Sequence, residues 1–213
     1  MAIKNIIFDL GGVLLNLAPE LTDKGFEALS NNSDHYNKTF KKLHQLNIFN
    51  DLEVGAIDGS TFIDTILEHL PRANAQDIRT AWSAMLLDFP AERLTLLEEL
   101  KADGFNVFLL SNTNSLHIED FQKIVYDAHQ IDDFNKYFEC AYYSHEVGLR
   151  KPHSPIFQHV VDHAQLKPQE TVFIEDTPHN LEGAKAVGIN PLLHPRNGDI
   201  TNTIRTFLQQ HNL

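Results

Sequence analysis

The chain has 213 residues, of which 42% are hydrophobic and 22% are charged, an ordinary globular composition that does not favour disorder. Its formal net charge of -12, without an extended run of Lys or Arg, excludes a nucleic-acid surface, because such a surface needs basic groups against the phosphate backbone. No stretch approaches the roughly 18 consecutive apolar residues of a membrane span, and the amino terminus leads into a strand rather than a signal peptide, so the expected compartment is the cytoplasm.

The first predicted strand runs from Ile3 to Phe8 and ends at Asp9, where a glycine-containing turn follows. Continuous apolar runs that stop abruptly in polar groups are typical of parallel strands buried on both faces, and ligands bind where such strands end. We therefore expect Asp9 at the carboxyl edge of a parallel sheet. A carboxylate in that position can attack phosphorus and form an acyl phosphate, so Asp9 is the candidate nucleophile.

The segment from about Asn16 to Phe89 has helical apolar spacing and no comparably strong strand. One apolar stripe begins at Phe40, and a second begins at Ile63, in a helix that we expect Ser60 to cap. A third stripe begins at Ile78. This pattern predicts a helical insert that lies as a cap over the carboxyl edge of the sheet.

After Pro90 helices and strands alternate, which is the pattern of a parallel α/β sheet. The predicted elements are a helix from Ala91 to Ala102, a strand from Val107 to Leu110, a mostly helical stretch through Ile131, a strand near Cys140, helices beginning at Ser154 and at Thr177, and a strand from Pro191 to Leu193. The predicted fold class is therefore α/β, a doubly wound parallel sheet with a small helical cap domain. The core domain would comprise residues 1–15 and 90–213, and the cap domain residues 16–89.

Polar groups that could hold a phosphate follow the second predicted strand. Ser111 and Asn112 offer a hydroxyl, an amide and backbone N–H groups, a suitable cradle for phosphate oxygens, although such a pair in isolation more often caps a helix. Lys151 supplies a compact positive charge that could neutralise phosphate and nucleophile together, although a lone lysine is usually solvated. These three residues are the candidate substrate-binding groups.

An acidic pair, Glu175-Asp176, ends another apolar run. Two anions do not approach each other readily without a cation, and Mg2+, which favours oxygen ligands, can bridge a carboxylate and a phosphate oxygen. Asp176 is the natural second carboxylate beside Asp9, and Glu175 would hold metal-bound water. The sequence therefore predicts a magnesium site.

Taken together, Asp9, Ser111, Lys151 and the Glu175-Asp176 pair resemble, in order and spacing, the four motifs of the haloacid dehalogenase superfamily of phosphotransferases. The resemblance extends to the strings at residues 144–152 and 173–180 and to the turn at residues 53–57 of the insert, so it covers nearly the whole chain. The strings that begin at Phe8 and at Ser111 are most similar to bacterial sugar-phosphate phosphatases that act on glucose 1-phosphate. The implied fold is a Rossmann-like core with a helical cap.

The resemblance also implies a ligand set for the metal and reveals one departure. Asp9, the backbone carbonyl of Gly11 and Asp176 would hold Mg2+, and Glu175 would support its water shell. The family usually places a second aspartate at the position of Gly11, where it protonates the leaving group and then activates water. Glycine keeps the carbonyl ligand but removes this acid, whose loss typically costs about 10^2 to 10^4-fold in rate, roughly 3 to 5 kcal/mol of barrier.

Other features of the chain bear on the missing acid. The glucose 1-phosphate phosphatases that the chain resembles also carry glycine at this position, which favours a working enzyme. A substitute acid could come from His35, His44, Asp51 or Glu53 of the insert, and the sequence does not choose among them.

The predicted function is a magnesium-dependent phosphatase that hydrolyses a small phosphate monoester, such as a sugar phosphate, through an aspartyl-phosphate intermediate. Its partner would be that small phosphorylated metabolite, with no nucleic acid and no membrane, and both a monomer and a homodimer remain open. A dehalogenase would also lack the second aspartate, but such enzymes generally replace the acidic pair and place a halide-binding arginine in the cap, where this insert has only Arg72 and Arg79. A further alternative is a weakly active protein that binds phosphometabolites. The missing acid favours this alternative, whereas the presence of the other site residues makes full inactivity less expected.

Cysteine and histidine usage gives no evidence for a zinc site. Cys140 is the only cysteine, which excludes intramolecular disulfides, and its apolar neighbours predict a buried strand residue. His159 and His163 are spaced as i and i+4, but without a third ligand at a defined spacing we expect them to be surface residues.

Four more side chains near the motifs receive structural interpretations. His117 and His179 each follow a predicted helix start, where we expect an exposed polar position. Trp82 and Met85 are expected to pack within the insert rather than to contact substrate.

Overall fold

The computed structural model describes residues 2–30 and 32–211; the first residue, residue 31 and the last two residues, which belong to the predicted core and cap, lie outside the described residues. Five strands form one sheet in the order β3-β2-β1-β4-β5, and all neighbours in it are parallel. The strands are β1 (Asn5–Phe8), β2 (Asn106–Ser111), β3 (Cys140–Tyr143), β4 (Thr171–Glu175) and β5 (Asn190–Leu193). This arrangement confirms the predicted parallel α/β sheet.

The central strand β1 lies between β2 and β4, which explains why three separate motifs meet. Phe8 is paired with Leu109 on one side and with Ile174 on the other, so these three strands end at nearly the same level of the sheet. Every residue of β1 and of β4 is buried, as expected for strands covered on both faces. The polar residues that follow the three strands are therefore delivered to one edge.

Helices cover both faces of the sheet, and the two apolar clusters beneath them are separate. The core helices are α6 (Ala91–Ala102), α7 (Ser115–His129), α8 (Ser144–Val147), α9 (Ser154–His163), α10 (Pro178–Ala186) and α11 (Ile200–His211). Alternate strand residues face opposite clusters: Ile6 and Phe8 belong to one, whereas Ile7 belongs to the other. This confirms the doubly wound core, although the sequence analysis did not predict α11.

The helical insert, residues 16–89, contains α1 (Pro19–Leu29), α2 (Ser33–Gln45), α3 (Ile48–Glu53), α4 (Gly59–Leu67) and α5 (Ala75–Ser83). It has an apolar cluster of its own, which includes Phe26, Phe62 and Ile78 together with Leu116 from α7. The insert can therefore pack as a unit against the first turn of α7. Its boundaries as an independent domain stay a prediction.

Two details of the sequence prediction are wrong. Asp58, not Ser60, caps α4: its carboxylate accepts hydrogen bonds from the Thr61 backbone N–H at 2.7 Å and from the Ser60 hydroxyl at 2.8 Å. The Asp58 side chain precedes the helix and accepts from the free Thr61 N–H of its first turn, whereas Ser60 already lies within that turn. Cys140 lies in a strand as predicted but is only half-buried, because β3 is an edge strand.

Polar contacts hold the insert against the core on two sides. On one side Arg79 of α5 lies 2.9 Å from Glu119 and 2.7 Å from Asp120, both on α7. On the other side Arg150 lies 2.9 Å from Glu53 at the end of α3. Among residues 2–30 and 32–211, no helix is long and apolar enough to cross a membrane.

Candidate active site

A buried lysine joins two of the predicted carboxylates at the carboxyl edge of the sheet. The Lys151 ammonium lies 2.8 Å from Asp9 Oδ1 and 2.7 Å from Glu175 Oε2, and it donates a third hydrogen bond to the Leu110 carbonyl at 3.1 Å. The Lys151 side chain is only 1% exposed. Its three donors are thus satisfied, which is what allows an ammonium to be buried at this depth.

The group of Lys151, Asp9 and Glu175 contains one basic and two acidic side chains. Burial would lower the pKa of Lys151, but the carboxylates of Asp9 and Glu175 together raise it, so the lysine is positively charged. Burial, and then the charge of Asp9, raise the pKa of Glu175 to about 8, although Lys151 opposes this shift. One lysine therefore neutralises two buried carboxyl groups incompletely, and a second cation at this edge would stabilise both.

A third carboxylate completes an oxygen-rich cluster. One oxygen each from Asp9, Glu175 and Asp176 lies within 4.8 Å of the other two. Asp176 is also bound by the Arg196 side chain, and although burial opposes it, this contact holds the pKa of Asp176 below its usual value. A set of carboxylate oxygens is what Mg2+ prefers, so these residues fit that ion. The Gly11 carbonyl as a fourth ligand stays a prediction.

Asn112 holds the backbone of Lys151. Its side-chain amide donates to the Lys151 carbonyl and its side-chain oxygen accepts from the Lys151 N–H, both at 2.9 Å. Both polar ends of the side chain are engaged in this way, so Asn112 fixes the segment that carries the lysine. Ser111, the last residue of β2, is buried beside it. Phosphate binding by Ser111 and Asn112 stays a prediction.

The loop after β5 contributes two residues that the sequence analysis missed. Arg196 binds Asp176, and Asn197 makes a two-way bond to the Leu17 backbone, accepting from its N–H at 2.9 Å and donating to its carbonyl at 2.8 Å. The Asn197 backbone N–H also donates to the Gly12 carbonyl at 2.8 Å. This loop therefore joins the acidic cluster, the turn after Asp9 and the start of the insert. The sequence did offer one indication of these two residues, because they lie in a polar turn shortly after the predicted strand that ends at Leu193.

Leu17 fills the space beside Gly11. A Cβ atom added to Gly11 would lie 2.5 Å from Leu17 Cδ1, closer than real Cβ contacts come. Because Asn197 holds the Leu17 backbone in place, a longer side chain at position 11 would require the leucine side chain to move. The place of the acid that the sequence lacks is therefore occupied by an apolar group.

A cavity of about 280 Å³ opens between the core and the insert at this point. Gly11, Ser111 and Asn112 line one part of it, and Leu17, Trp82 and Met85 contribute apolar lining. The expectation that Trp82 and Met85 only pack is thus incomplete, because both also line the cavity. The titratable side chains that line this cavity are Asp23, Glu53 and His117.

His117 is not exposed as predicted. Its ring is stacked on Trp82 with centroids 4.8 Å apart and planes 17° apart, and its Nε2 lies 3.1 Å from the Trp82 carbonyl oxygen. The cause is long-range: the insert covers the first turn of α7, where His117 is located. Burial lowers the pKa of His117 to about 4, so at neutral pH the ring is uncharged. His179, His159 and His163 are exposed, as predicted.

The burial of His117 predicts a loss of stability in acid. The unfolded chain binds a proton on this ring below its ordinary pKa of about 6.5, whereas the folded protein does so only near 4. The free energy of unfolding should therefore fall by up to about 3 kcal/mol as the pH falls through this interval. The measurement is denaturant unfolding of the wild type and His117→Phe, which keeps the ring stack and cannot titrate.

His145 and His194 also have lowered pKa values. Both residues are present in the wild type and in His117→Phe, so their contributions to the pH dependence cancel when the two unfolding free energies are subtracted. The difference in unfolding free energy between the wild type and His117→Phe should change in this pH interval alone. Equal pH slopes in the two proteins would show that His117 does not contribute.

Comparisons with known proteins agree with this geometry. The family model described as haloacid dehalogenase-like hydrolase matches residues 3–188. The chain is 26% identical over 197 residues to the D-ribitol-5-phosphate phosphatase of Bacteroides thetaiotaomicron, covering 92% of this chain and 93% of that protein. It is 28% identical over 198 residues to the glyceraldehyde 3-phosphate phosphatase of Methanocaldococcus jannaschii, covering 88% and 82% respectively.

A solved structure with a similar fold contains ligands. It is the wild-type HAD family enzyme BT-2542 from Bacteroides thetaiotaomicron in complex with magnesium and inorganic phosphate. This structure and the present chain superpose with a TM-score of 0.82 and are 34% identical in sequence. The match covers 93% of this chain and 97% of that one.

Proposed function

The chain belongs to the haloacid dehalogenase-like hydrolases, and from this premise we propose that it is a magnesium-dependent phosphatase acting on a small phosphate monoester, such as a sugar phosphate. The observation that carries the proposal is the buried Asp9–Lys151–Glu175 group at the carboxyl edge of the sheet, next in the chain to residues Leu10, Gly11 and Ser111 that line a cavity. The phosphatase names of two relatives, and the magnesium and phosphate in the BT-2542 complex, support it.

Asp9 is the proposed nucleophile. Its carboxylate attacks phosphorus in line, the bond from phosphorus to the leaving oxygen breaks, and an aspartyl phosphate forms that water then hydrolyses. Lys151 holds Asp9 through Oδ1 and offsets negative charge as the phosphoryl group approaches. Ser111 and the backbone next to Asn112 bind the phosphoryl oxygens.

The acidic cluster is the proposed cation site. Asp9, Asp176 and the Gly11 carbonyl would hold Mg2+, and Glu175 would orient its water shell. When bound there, Mg2+ neutralises charge on the phosphoryl oxygens. Arg196, which contacts Asp176, holds that carboxylate in position beside Asp9.

The helical insert is proposed to act as a cap. Trp82, Met85 and Leu17 contribute an apolar wall to the cavity. Such a wall excludes water that would compete for the transferring group, and its shape selects the leaving group. The contacts of Arg79 and Arg150 with their partners keep the insert against the core.

Magnesium removal tests the function. We expect the purified protein to release inorganic phosphate from one or more members of a panel of sugar phosphates, polyol phosphates and 4-nitrophenyl phosphate when Mg2+ is present. Chelation with EDTA should abolish the release and added Mg2+ should restore it, because the carboxylates would otherwise repel the phosphate. Release that persists in EDTA would contradict the metal assignment, and no release from any ester would contradict the phosphatase.

A further inference from the structure

The absence of an acid at Gly11 leaves open which group protonates the leaving oxygen. Leu17 fills the place where a side chain at position 11 would project, so the proton has to come from another wall of the cavity. The titratable side chains that line this cavity are Asp23, Glu53 and His117. The contacts of these three side chains distinguish them.

Two of the three are poor acids for this role. The neutral His117 ring donates its Nε2 proton to the Trp82 carbonyl, and its pKa of about 4 leaves it almost entirely unprotonated on the other nitrogen at neutral pH. Asp23 is exposed on α1, and its carboxylate accepts a hydrogen bond from the Tyr36 hydroxyl at 2.9 Å. Glu53 is half-buried, and of the three it is the one that pairs with Arg150, the residue directly before Lys151.

Glu53 is held in a defined position between insert and core. Its Oε2 lies 2.9 Å from the Arg150 guanidinium, and Arg150 also donates to the Asn50 side chain at 2.8 Å. Arg150 directly precedes Lys151, whose ammonium contacts Asp9. The end of α3 is therefore tied to the same short segment of chain that holds the nucleophile.

The turn after Glu53 fits closely against the core. Gly55 has a φ of 68°, and a Cβ atom there would lie 2.1 Å from the His145 carbonyl oxygen. Only glycine allows this approach of backbone to backbone. The close fit fixes the carboxyl end of α3, and with it Glu53, at the wall of the cavity.

We propose that Glu53 is the catalytic acid that protonates the leaving oxygen in place of the side chain absent at Gly11. The inference rests on the proposed phosphatase function and names a further catalytic residue for it. Of the four insert residues that the sequence left open, His35, His44 and Asp51 do not line this cavity, whereas Glu53 does.

The proton transfer balances over the two half-reactions. As Asp9 bonds to phosphorus, the bond from phosphorus to the leaving oxygen breaks, and that oxygen takes the Glu53 proton to leave as a neutral alcohol. Glu53 is then a carboxylate. It accepts a proton from the water that attacks the aspartyl phosphate, which releases inorganic phosphate and restores both residues.

The electrostatic surroundings are compatible with this role. Burial raises the pKa of Glu53, while Arg150 and Lys151 lower it. The dianionic phosphate of a substrate offsets the charge of Lys151, so substrate binding favours the protonated form. The Arg150 guanidinium lies 2.9 Å from Glu53 Oε2, an ion-pair distance that keeps the carboxyl group beside the core.

A matched pair of esters tests the proposal. 4-Nitrophenyl phosphate has a good leaving group that needs no proton, whereas 4-nitrobenzyl phosphate is nearly the same size and leaves as a strongly basic alkoxide. In single-turnover release of the alcohol, Glu53→Gln should slow 4-nitrobenzyl phosphate by about 10^2 to 10^4-fold and 4-nitrophenyl phosphate by less than about 10-fold. Equal slowing of both esters, or slowing of neither, would overturn the assignment.

Two further variants separate catalysis from structure. Glu119→Gln removes an equivalent charge from the other contact between insert and core, that with Arg79, and should slow neither ester. In Glu53→Ala, added acetate should restore part of the lost rate with 4-nitrobenzyl phosphate, and failure of rescue together with equal slowing of both esters would indicate a positioning role only. If the wild type releases neither alcohol with Mg2+ present, the phosphatase proposal itself fails.

Discussion

Replacing Asp9 with asparagine should lower magnesium-dependent phosphate release by at least roughly 10^3-fold, because it removes the covalent route through the aspartyl phosphate. The neutral side chain has nearly the same shape, so it keeps its place beside the Lys151 ammonium. Lys151 retains Glu175 as a charged partner at 2.7 Å, and the balance of buried charge becomes one to one. The variant should therefore stay folded, with an unfolding free energy within about 1 kcal/mol of the wild type.

The measurement combines steady-state phosphate release with detection of the phosphoenzyme. Wild-type protein quenched in acid during turnover should carry an acyl phosphate that hydroxylamine removes, and Asp9→Asn should carry none. The control is Asp103→Asn, because Asp103 is exposed, pairs with Arg205 at 2.8 Å and precedes the amino end of β2, whereas Ser111 lies at the carboxyl end of that strand. An acyl phosphate in Asp9→Asn would assign the nucleophile to another residue.

Much of the core could be predicted from the sequence because its strands obey a simple rule. A strand buried on both faces must be apolar throughout, so the change to polar residues at Asp9 and at Glu175 marks both the end of a strand and the edge where ligands bind. The pairing of Phe8 with Leu109 and Ile174 then follows from strand adjacency. The ion pairs of Lys151 with both carboxylates do not follow from this rule, because Lys151 lies between α8 and α9 and not at a strand end.

The walls of the cavity could not be predicted in this way, because they depend on contacts between segments far apart in the chain. His117 looked like an exposed residue of a first helical turn, and it is buried only because Trp82 of the insert is stacked on it. Leu17 approaches Gly11 because Asn197, 180 residues away, holds its backbone. No local pattern carries this information, since each residue taken alone is compatible with either an exposed or a buried position.

Lys151 presents a case in which one side chain serves both stability and function. Replacing it with methionine keeps a similar volume but leaves Asp9 and Glu175 buried without their shared partner. Breaking a buried pair in this way typically costs about 3 to 5 kcal/mol, because it leaves uncompensated charge in the interior. We expect Lys151→Met to lose about this much unfolding free energy at pH 8 in EDTA and to lose catalysis as well.

The dependence of that loss on pH and on Mg2+ identifies its cause. Burial already raises the pKa of Asp9 and of Glu175, and removal of the lysine raises both further. A folded-state pKa above the unfolded value gives stability that is present at low pH and is lost as the pH rises through the folded value. Denaturant unfolding of Lys151→Met should therefore show a smaller loss of unfolding free energy, relative to the wild type, at pH 5 than at pH 8. Mg2+ should reduce this loss at pH 8 because it binds the folded carboxylates.

The control Lys167→Met, at an exposed lysine 3.7 Å from Glu170, should differ from the wild type by less than about 0.5 kcal/mol at either pH. A deficit in Lys151→Met that does not change between pH 5 and pH 8 would mean that lost packing, rather than unpaired carboxylate charge, destabilises the variant.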